Sequence, residues 1–557
     1  MASSKMARAY WRNAGRPFQR PDAVGVTTNT SIAPVTTRLA TTQHNSPSAS
    51  TKRERVVVLG SGWAGYALAR DLDPKKYERI IISPRSHFVF TPLLASTTVG
   101  TLEFRSILEP VRRLQPDRFH QGWADSIDFD NKLIQVETNP DADELNSRTM
   151  PPPQPPKESP QSSDVTNLES STIAPKKGEM ISVPYDKLIV AVGSYSQTFG
   201  IPGVREHANF LRDVGDARSI RLRVLQCFER ADLPNTTDEQ RRKLLHFAVV
   251  GGGPTGIEFA AELHDLVHDD LARLYPRLMP FAAITVYDVA PKVLPMFDKK
   301  LSAYAIETFR RQGIQVKTEH HLQGIRPDED GKGGLKLKIQ EYGDDEVGAG
   351  IVVWSTGLMQ NPLVARMVAR ELRTSVPAEA NTPENGSQPW HIIKDHKTGG
   401  IVTDDHLRVR ISAQEAPEKD AAKDPKDAPS GSTILPDVFA IGDCAVIERE
   451  ALPATAQVAS QQAKYLAKAL NKYGRPGTDA MATAKSFRYR NLGTLAYLGS
   501  WRAILQSEAM SDGITGRLAW VLWRGAYITR SMSIRNKIMV LIHWMMTWLF
   551  GRDISRF

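Results

Sequence analysis

The sequence contains little cysteine and no long apolar run. Its 557 residues include two cysteines, Cys227 and Cys444, and neither belongs to a Cys-x-x-Cys motif. This excludes a disulfide framework, the redox dithiol of the disulfide reductases and a cysteine metal site, and we predict no metal. The longest apolar run, Ile538 to Phe550, includes His543 and is shorter than the roughly 20 residues that span a bilayer.

The first 52 residues contain almost no acid. Asp22 is their single carboxylate, whereas basic residues recur, several at helical spacing: Lys5, Arg8, Arg12, Arg16, Arg20 and Arg38. Together with the Ser and Thr that follow, this composition is typical of a mitochondrial transit peptide. A disordered basic tail is the alternative. We predict no nucleic-acid binding, because no aromatic and basic module accompanies the charge.

A strand followed by a glycine turn occurs twice. Arg55 to Leu59 leads into Gly60, Gly62 and Gly65, and Phe247 to Val250 leads into a second set, Gly251, Gly253 and Gly256. In such turns the backbone approaches a pyrophosphate at the N-terminus of the next helix. The sequence therefore predicts an α/β fold with two Rossmann-like dinucleotide-binding domains, the first for FAD and the second for NADH, between which a hydride passes.

Further FAD contacts are predicted at the ends of other strands. The second strand of the first unit ends in Ser83, Pro84 and Arg85, where an acid that binds the ribose is usual. This departure leaves the recognition of the FAD ribose unexplained. A strand that ends in Gly193 and another that ends in Gly442 and Asp443 complete the predicted contacts, since a carboxylate there reaches the ribityl chain.

The second unit carries an acid where the first does not. Its second strand, Ala283 to Tyr287, ends in Asp288, which accepts hydrogen bonds from both ribose hydroxyls and repels a 2′-phosphate. NADH is therefore favoured over NADPH, and Gly357 is a further predicted contact. The gap between Gly253 and Asp288 exceeds the usual spacing, which we attribute to a helix extended through His264 to Leu278.

The C-terminus combines cations with tryptophan. From Arg517 to Phe557 it holds seven basic residues, one acid, Asp553, and four of the ten tryptophans, which are Trp520, Trp523, Trp544 and Trp548. This pattern predicts an amphipathic helical segment that lies on a phospholipid membrane surface. Buried core helices are the alternative.

These features resemble type II NADH dehydrogenases, the single-subunit alternative NADH:ubiquinone oxidoreductases of fungal and plant mitochondria and of bacteria. The resemblance rests on SPRSHFVFTPLL (83–94), GGGPTGIEFAAEL (251–263), WSTG (354–357), FAIGDCA (439–445), ATAQVASQQA (454–463) and LAYLGS (495–500). It implies non-covalent FAD, with Thr91 among its contacts, and two-electron reduction of ubiquinone without proton pumping.

The resemblance also assigns four catalytic residues. Gln457 and Gln461 correspond to the quinone site, and Tyr497 to a tyrosine near the same pocket. Glu258 corresponds to a glutamate beside flavin and nicotinamide that positions the nicotinamide or relays protons. The residues alone leave two alternatives open. The glutamines could lie on an exposed helix face, and Glu258 could simply compensate the helix dipole.

We divide the chain accordingly. The predicted segments are a transit segment (1–52), the first part of the FAD domain (53–215, with a low-complexity insertion at 139–180), the NADH domain (216–400), the second part of the FAD domain with the quinone-site helix (401–475), and a membrane-anchoring domain (476–557). A second polar insertion covers 372–433. We expect a peripheral protein of the mitochondrial inner membrane, on the matrix side, and the oligomeric state stays open, a homodimer included. A soluble reductase of a protein acceptor and a signalling flavoprotein similar to apoptosis-inducing factor are the alternatives.

Overall fold

The structure is a computed structural model that describes residues 53–138, 178–329, 331, 333–373, 389–413, 432–474, 479, 481, 483–507, 510–531 and 533–555. The predicted transit segment and most of both predicted insertions lie outside these residues.

The larger sheet contains the first glycine turn. Up to residue 210 the elements are β1 (Glu54–Leu59), α1 (Trp63–Asp71), β2 (Tyr77–Ser83), β3 (His87–Val89), α2 (Leu94–Thr98), β4 (Leu108–Pro110), β5 (Arg118–Asp128), β6 (Leu133–Thr138), β7 (Glu179–Pro184), β8 (Lys187–Val190), β9 (Ser194–Ser196), α3 (Val204–His207) and β10 (Asn209–Phe210). β1 lies between β2 and β8, parallel to both. Its residues Val56 to Leu59 are buried. Val56 and Val58 pack with α1 residues such as Leu68, and Val57 and Leu59 pack on the other face with β6 residues such as Ile134.

The second sheet contains the second glycine turn. The elements here are α4 (Val214–Ala231), α5 (Asp238–Leu244), β11 (His246–Val250), α6 (Pro254–Asp265), α7 (Ala272–Leu274), β12 (Ala283–Tyr287), α8 (Lys299–Gln312), β13 (Gln315–Lys317), β14 (Leu322–Pro327), β15 (Leu335–Ile339), β16 (Glu346–Ala349), β17 (Ile351–Trp354), β18 (Leu358–Gln360) and α9 (Pro362–Val368). The strand order is β10, β17, β11, β12, β13. α6 continues through a π-helical turn at Leu266–Leu271 into α7, and this extension accounts for the long interval before Asp288.

The chain then returns to the first sheet. The remaining elements are β19 (His391–Ile392), β20 (Ile401–Thr403), β21 (Arg408–Ser412), β22 (Thr433–Ala440), β23 (Ala445–Ile447), α10 (Ala456–Tyr473), β24 (Thr494–Tyr497), β25 (Ala503–Ser507), β26 (Met510–Thr515), α11 (Gly516–Arg530) and α12 (Ile534–Phe550). β22 pairs with β8, which places Gly442 and Asp443 beside the first glycine turn. The predicted domain boundaries and the two sheets do not coincide at two strands. β10 lies in the predicted FAD domain but pairs within the second sheet, and β19 lies in the predicted NADH domain but pairs within the first.

One face of the C-terminal helices packs onto the body of the protein. Trp523 of α11 and Trp544 of α12 are 3% and 5% exposed, and both belong to the core that includes Phe259. Residues on the other face, such as Leu541 at 50% exposure, are open to solvent. Within the described part of the chain, no helix is long and apolar enough to cross a membrane.

Candidate functional site

A cavity of about 490 Å³ lies where the two sheets meet. It is lined from the first sheet by the glycine turn and from the second by Thr255, Ser355 and Gly357. Nine of the ten predicted FAD contacts lie on its wall, namely Gly60, Gly62, Ser83, Pro84, Arg85, Thr91, Gly193, Gly442 and Asp443. Of the five predicted NADH contacts, Gly357 lines this cavity. Residues of both nucleotide units therefore share one space.

The first glycine turn is closed by backbone contacts. Gly60 has a φ of +103°, and a Cβ there would overlap the carbonyl oxygen of Ala191 on the return strand. Gly65, which does not line the cavity, packs α1 against the carbonyl of Gly60, where a side chain has no room. At Gly62 a Cβ would meet open space, which is where the backbone can approach a pyrophosphate.

The Ser83 to Arg85 segment contacts Asp213, a partner that the sequence did not indicate. The hydroxyls of Ser61 and Ser83 lie 2.8 Å apart, and Arg85 Nε lies 2.6 Å from Asp213 Oδ2. Burial alone would raise the pKa of the Asp213 carboxyl, but Arg85 and His87 outweigh it and lower that pKa. Asp213 also caps α4 and so fixes the start of that helix.

Arg212 is a cavity residue that sequence reasoning missed. The residue lines the cavity, and burial lowers the pKa of its guanidinium while the carboxylate of Asp443 opposes that effect. Arg212 Nη1 is buried and has no hydrogen-bond partner among the described residues. A buried cation with an unpaired N–H donor can bind an anionic group. The cavity therefore fits the pyrophosphate of FAD.

Asp288 lies directly beside the second glycine turn. Its Oδ2 accepts a hydrogen bond from the backbone N–H of Gly252, and its Oδ1 accepts one from Ala290 N at 2.7 Å. Gly251 has a φ of +116°, which lets the turn close onto Ser355 at the end of β17. The carboxylate therefore stands at the strand end where a ribose is recognised in this type of fold.

Glu258 is buried near the start of α6. Its Oε1 accepts hydrogen bonds from Tyr497 N at 3.0 Å and from Trp523 Nε1 at 3.2 Å. Burial raises the pKa of this carboxyl to about 8, and the two hydrogen bonds offset only part of that effect. A surface acid that compensates the helix dipole would be solvated, so the burial of Glu258 favours a chemical role.

A row of buried acids continues along the same face of α6. Glu262 accepts hydrogen bonds from the hydroxyls of Ser96 and Thr101, and burial raises the pKa of its carboxyl. The hydroxyl of Tyr497 donates to Asp265 Oδ2 at 2.6 Å. The structure thus brings two predicted site residues, Glu258 and Tyr497, into direct contact.

The two predicted quinone-site glutamines face a neighbouring segment. Gln457 Nε2 donates to Gly493 O at 3.2 Å, and Gln461 Nε2 donates to Arg490 O at 2.8 Å. A third glutamine of α10, Gln462, is 2% exposed and accepts a hydrogen bond from Gly442 N at 2.7 Å. Gln462 therefore holds the turn at Gly442 and Asp443 in place, a role that its spacing on the helix did not reveal.

Two family models match the chain. The first is described as pyridine nucleotide-disulphide oxidoreductase and matches residues 54–378, and the second is described as the NDH2 C-terminal domain and matches residues 491–553. The first match contains both glycine turns, and the second contains the strands and helices that cover Glu258.

Similar proteins agree with these matches. A probable NADH dehydrogenase of Dictyostelium discoideum is 37% identical, over 91% of this chain and 92% of the relative. The mitochondrial internal alternative NAD(P)H-ubiquinone oxidoreductase A1 of Solanum tuberosum is 36% identical, over 91% and 89%. NDH2 of Plasmodium falciparum, solved with NADH, has a TM-score of 0.70 at 22% identity, over 90% of this chain and 100% of that one.

Proposed function

Because the chain belongs to the type II NADH dehydrogenase family, we propose that it oxidises NADH and passes both electrons through FAD to ubiquinone without pumping protons. The reaction converts NADH, ubiquinone and one proton into NAD⁺ and ubiquinol. Bound FAD supplies the step that accepts a hydride and passes its electrons on. The single observation that carries the proposal is the shared cavity, since residues of both nucleotide units line it.

The residues of the chain have separate tasks in this scheme. Gly62 and Arg212 bind the cofactor, and Asp288 selects NADH. Glu258, which is mostly protonated at neutral pH because its pKa is about 8, holds the proton that quinone reduction requires. Tyr497 and Trp523 hold that carboxyl by their N–H groups. We assign Gln457 and Gln461 to the wall of the ubiquinone site.

The same proposal places the protein on a membrane surface. The exposed side of α11 and α12 carries large apolar side chains: Leu518, Val521, Leu522, Ile534, Ile538, Leu541, Ile542, Met545, Met546, Trp548, Leu549 and Phe550. A face of this size, beside basic residues, supports binding in the interfacial layer. Ubiquinone is dissolved in that membrane, so the same helices bring the enzyme to its substrate.

We assign the protein to the mitochondrial inner membrane and its matrix face. Relatives named mitochondrial support the compartment, and both internal and external forms stand among them. Protection of the protein from protease in intact mitoplasts, followed by digestion once the inner membrane is opened, is the expected result. Digestion in mitoplasts with the inner membrane closed would place it on the outer face instead.

Turnover of purified protein with NADH and ubiquinone tests the activity. We expect NADH oxidation that depends on quinone, with ubiquinol as product, and release of FAD upon denaturation. Reaction with ferricyanide but not with any quinone would favour a reductase of a protein acceptor. Slow NADH oxidation that no acceptor accelerates would favour a signalling flavoprotein.

A further inference from the structure

Three tryptophans surround one arginine where α11 meets α12. The guanidinium carbon of Arg524 lies 4.2 Å from the ring centroid of Trp520, 4.3 Å from that of Trp544 and 5.9 Å from that of Trp501. Trp544 is buried, whereas Trp501 is 46% exposed. The cage therefore has a buried wall and an exposed rim, and aromatic faces hold a guanidinium in one place.

Within the described chain, the guanidinium of Arg524 forms no close ion pair. Among the described residues it makes no ion pair and no hydrogen bond, and its Nε is buried without a partner. Burial lowers its pKa to about 10 although Tyr497 and Glu262 act electrostatically to raise it, so the group is still charged at neutral pH. Arg552, whose side chain is 9% exposed, differs, because its Nη1 lies 2.7 Å from Asp270 Oδ2.

The surroundings of the cage match a lipid headgroup. Leu518, Val521 and Leu522 on the same helix are exposed and form part of the proposed membrane face. Tryptophan is enriched at the headgroup level of bilayers, and the planar fork of arginine binds phosphate through two parallel hydrogen bonds. A neutral ligand leaves Arg524 without a directly bonded anion, whereas a phosphate supplies one.

We propose that Arg524, held by Trp501, Trp520 and Trp544, binds the phosphate of an anionic phospholipid. This inference rests on the membrane association in the proposed function. The remaining exposed cations of the C-terminus act only through the general negative potential of the membrane.

Lipid binding by the full chain tests the inference. Purified protein is incubated with monomeric short-chain phosphatidylglycerol, with the matching phosphatidylcholine or with inorganic phosphate, and bound adducts are counted by native mass spectrometry. We expect phosphatidylglycerol to be retained by wild-type protein and lost in Arg524→Gln. Arg524→Lys should retain it about tenfold more weakly, because an ammonium lacks the planar fork. Retention of inorganic phosphate alone would identify a free-phosphate site and overturn the lipid assignment.

Vesicles provide the second measurement and its control. Arg517→Gln removes an exposed cation at the start of the same helix. It should weaken binding to phosphatidylglycerol-containing vesicles about fivefold, as expected for one surface cation, whereas Arg524→Gln should weaken it more than tenfold. Equal losses in the two variants would overturn the inference.

Turnover separates this inference from the proposed function. With a short-chain quinone in detergent, Arg524→Gln should retain wild-type kcat and KM. A raised quinone KM without any change in lipid retention would assign Arg524 to the quinone instead. If wild-type protein turns over quinone but shows no preference for anionic lipid, the inference fails and the proposed function stands. If wild-type protein retains the anionic lipid but does not reduce quinone, the proposed function fails and the lipid site stands.

Discussion

The indole Nε1 of Trp523 donates a hydrogen bond to Oε1 of Glu258 over 3.2 Å. Glu258 belongs to the helix that follows the second glycine turn, and Trp523 belongs to a helix whose other face is exposed and apolar. One buried contact therefore connects the nucleotide-binding part of the protein to its proposed membrane face. In the proposed function, this contact joins the NADH-binding unit to the side from which ubiquinone arrives.

Replacement of Glu258 by glutamine tests its role in proton delivery. Glu258→Gln retains size and hydrogen-bond acceptance but cannot give up a proton, so FAD should stay bound while quinone reduction slows about a hundredfold. Stopped-flow measurement should show flavin reduction by NADH changed far less than reoxidation by quinone. Glu239→Gln, at an exposed position on α5, is the control. Wild-type kinetics in Glu258→Gln would return this residue to a structural role.

The same residue makes stability depend on pH. Its folded pKa of about 8 lies above the ordinary value of 4.5, so the folded state holds a proton that the unfolded state releases. Stability from this group is complete below about pH 4.5 and is lost as pH rises toward 8. Glu258→Gln should remove that loss, so its Tm relative to wild type should rise between pH 5 and pH 8. A Tm difference that does not vary with pH would show that Glu258 is not buried in its protonated form.

Much of this site was predictable, and the exceptions share a physical cause. The positions of the glycine turns and of Asp288 could be predicted, because the strand, the tight turn and the helix that define them are contiguous in sequence. The burial of Glu258 depends on Tyr497 and Trp523, which come from the chain more than 200 residues later. No pattern around Glu258 contains that information. Arg212 was missed for a similar reason, since its cavity exists only when both sheets are assembled.

Arg212 should contribute to cofactor retention. Arg212→Gln removes a buried charge that has an unfilled donor, and loss of a hydrogen bond to a charged group should weaken FAD binding about tenfold to a hundredfold. Apoprotein titrated with FAD and followed by flavin fluorescence gives the Kd directly. Arg218→Gln changes an exposed arginine on α4, the helix that begins two residues after Arg212, and should leave the Kd unchanged. Equal affinities in Arg212→Gln and wild type would remove Arg212 from the FAD site.

Asp288 should determine which nicotinamide nucleotide is used. In Asp288→Asn the repulsion of a 2′-phosphate is lost, so the ratio of kcat/KM for NADPH to that for NADH should rise about tenfold, a change of about 1.4 kcal/mol. Asp298→Asn, at an exposed position that precedes α8, is the matched control. An unchanged ratio together with native stability would show that another strand end reads the ribose. Loss of binding for both nucleotides would instead reflect the bonds that Asp288 makes to Gly252 and Ala290.

Gln457 and Gln461 should affect one half-reaction more than the other. Their side chains hold the segment at residues 489–493, and Gln457→Leu or Gln461→Leu removes hydrogen bonds of about 1 kcal/mol each. We expect ubiquinone reduction to fall about tenfold while the rate of flavin reduction by NADH stays within twofold of wild type. Lys464→Leu, on an exposed position of the same helix, controls for a general effect on α10. Equal loss in both half-reactions would place the quinone elsewhere.

The exposed face of α11 and α12 should hold the protein on membranes. Deletion of the whole segment is a poor test, because Trp523 and Trp544 belong to the core and their removal would destabilise the fold. Point substitutions give a better test. Leu541→Gln removes an apolar side chain of this face that is 50% exposed. Leu233→Gln is the control, because it removes a leucine side chain of similar exposure, 46%, that is far from this face in the sequence.

Burial of one leucine side chain in lipid contributes about 1.5–3 kcal/mol, so Leu541→Gln should weaken binding to liposomes at least tenfold, whereas Leu233→Gln should leave it unchanged. Sedimentation with liposomes measures the binding, and Trp548→Gln extends the test to an aromatic side chain at the end of the face. Reduction of a water-soluble short-chain quinone should continue in all three variants. Reduction of ubiquinone dissolved in the bilayer should fall in step with liposome binding in Leu541→Gln and Trp548→Gln. Equal binding by the three variants and the wild type would mean that this apolar face contacts something other than lipid.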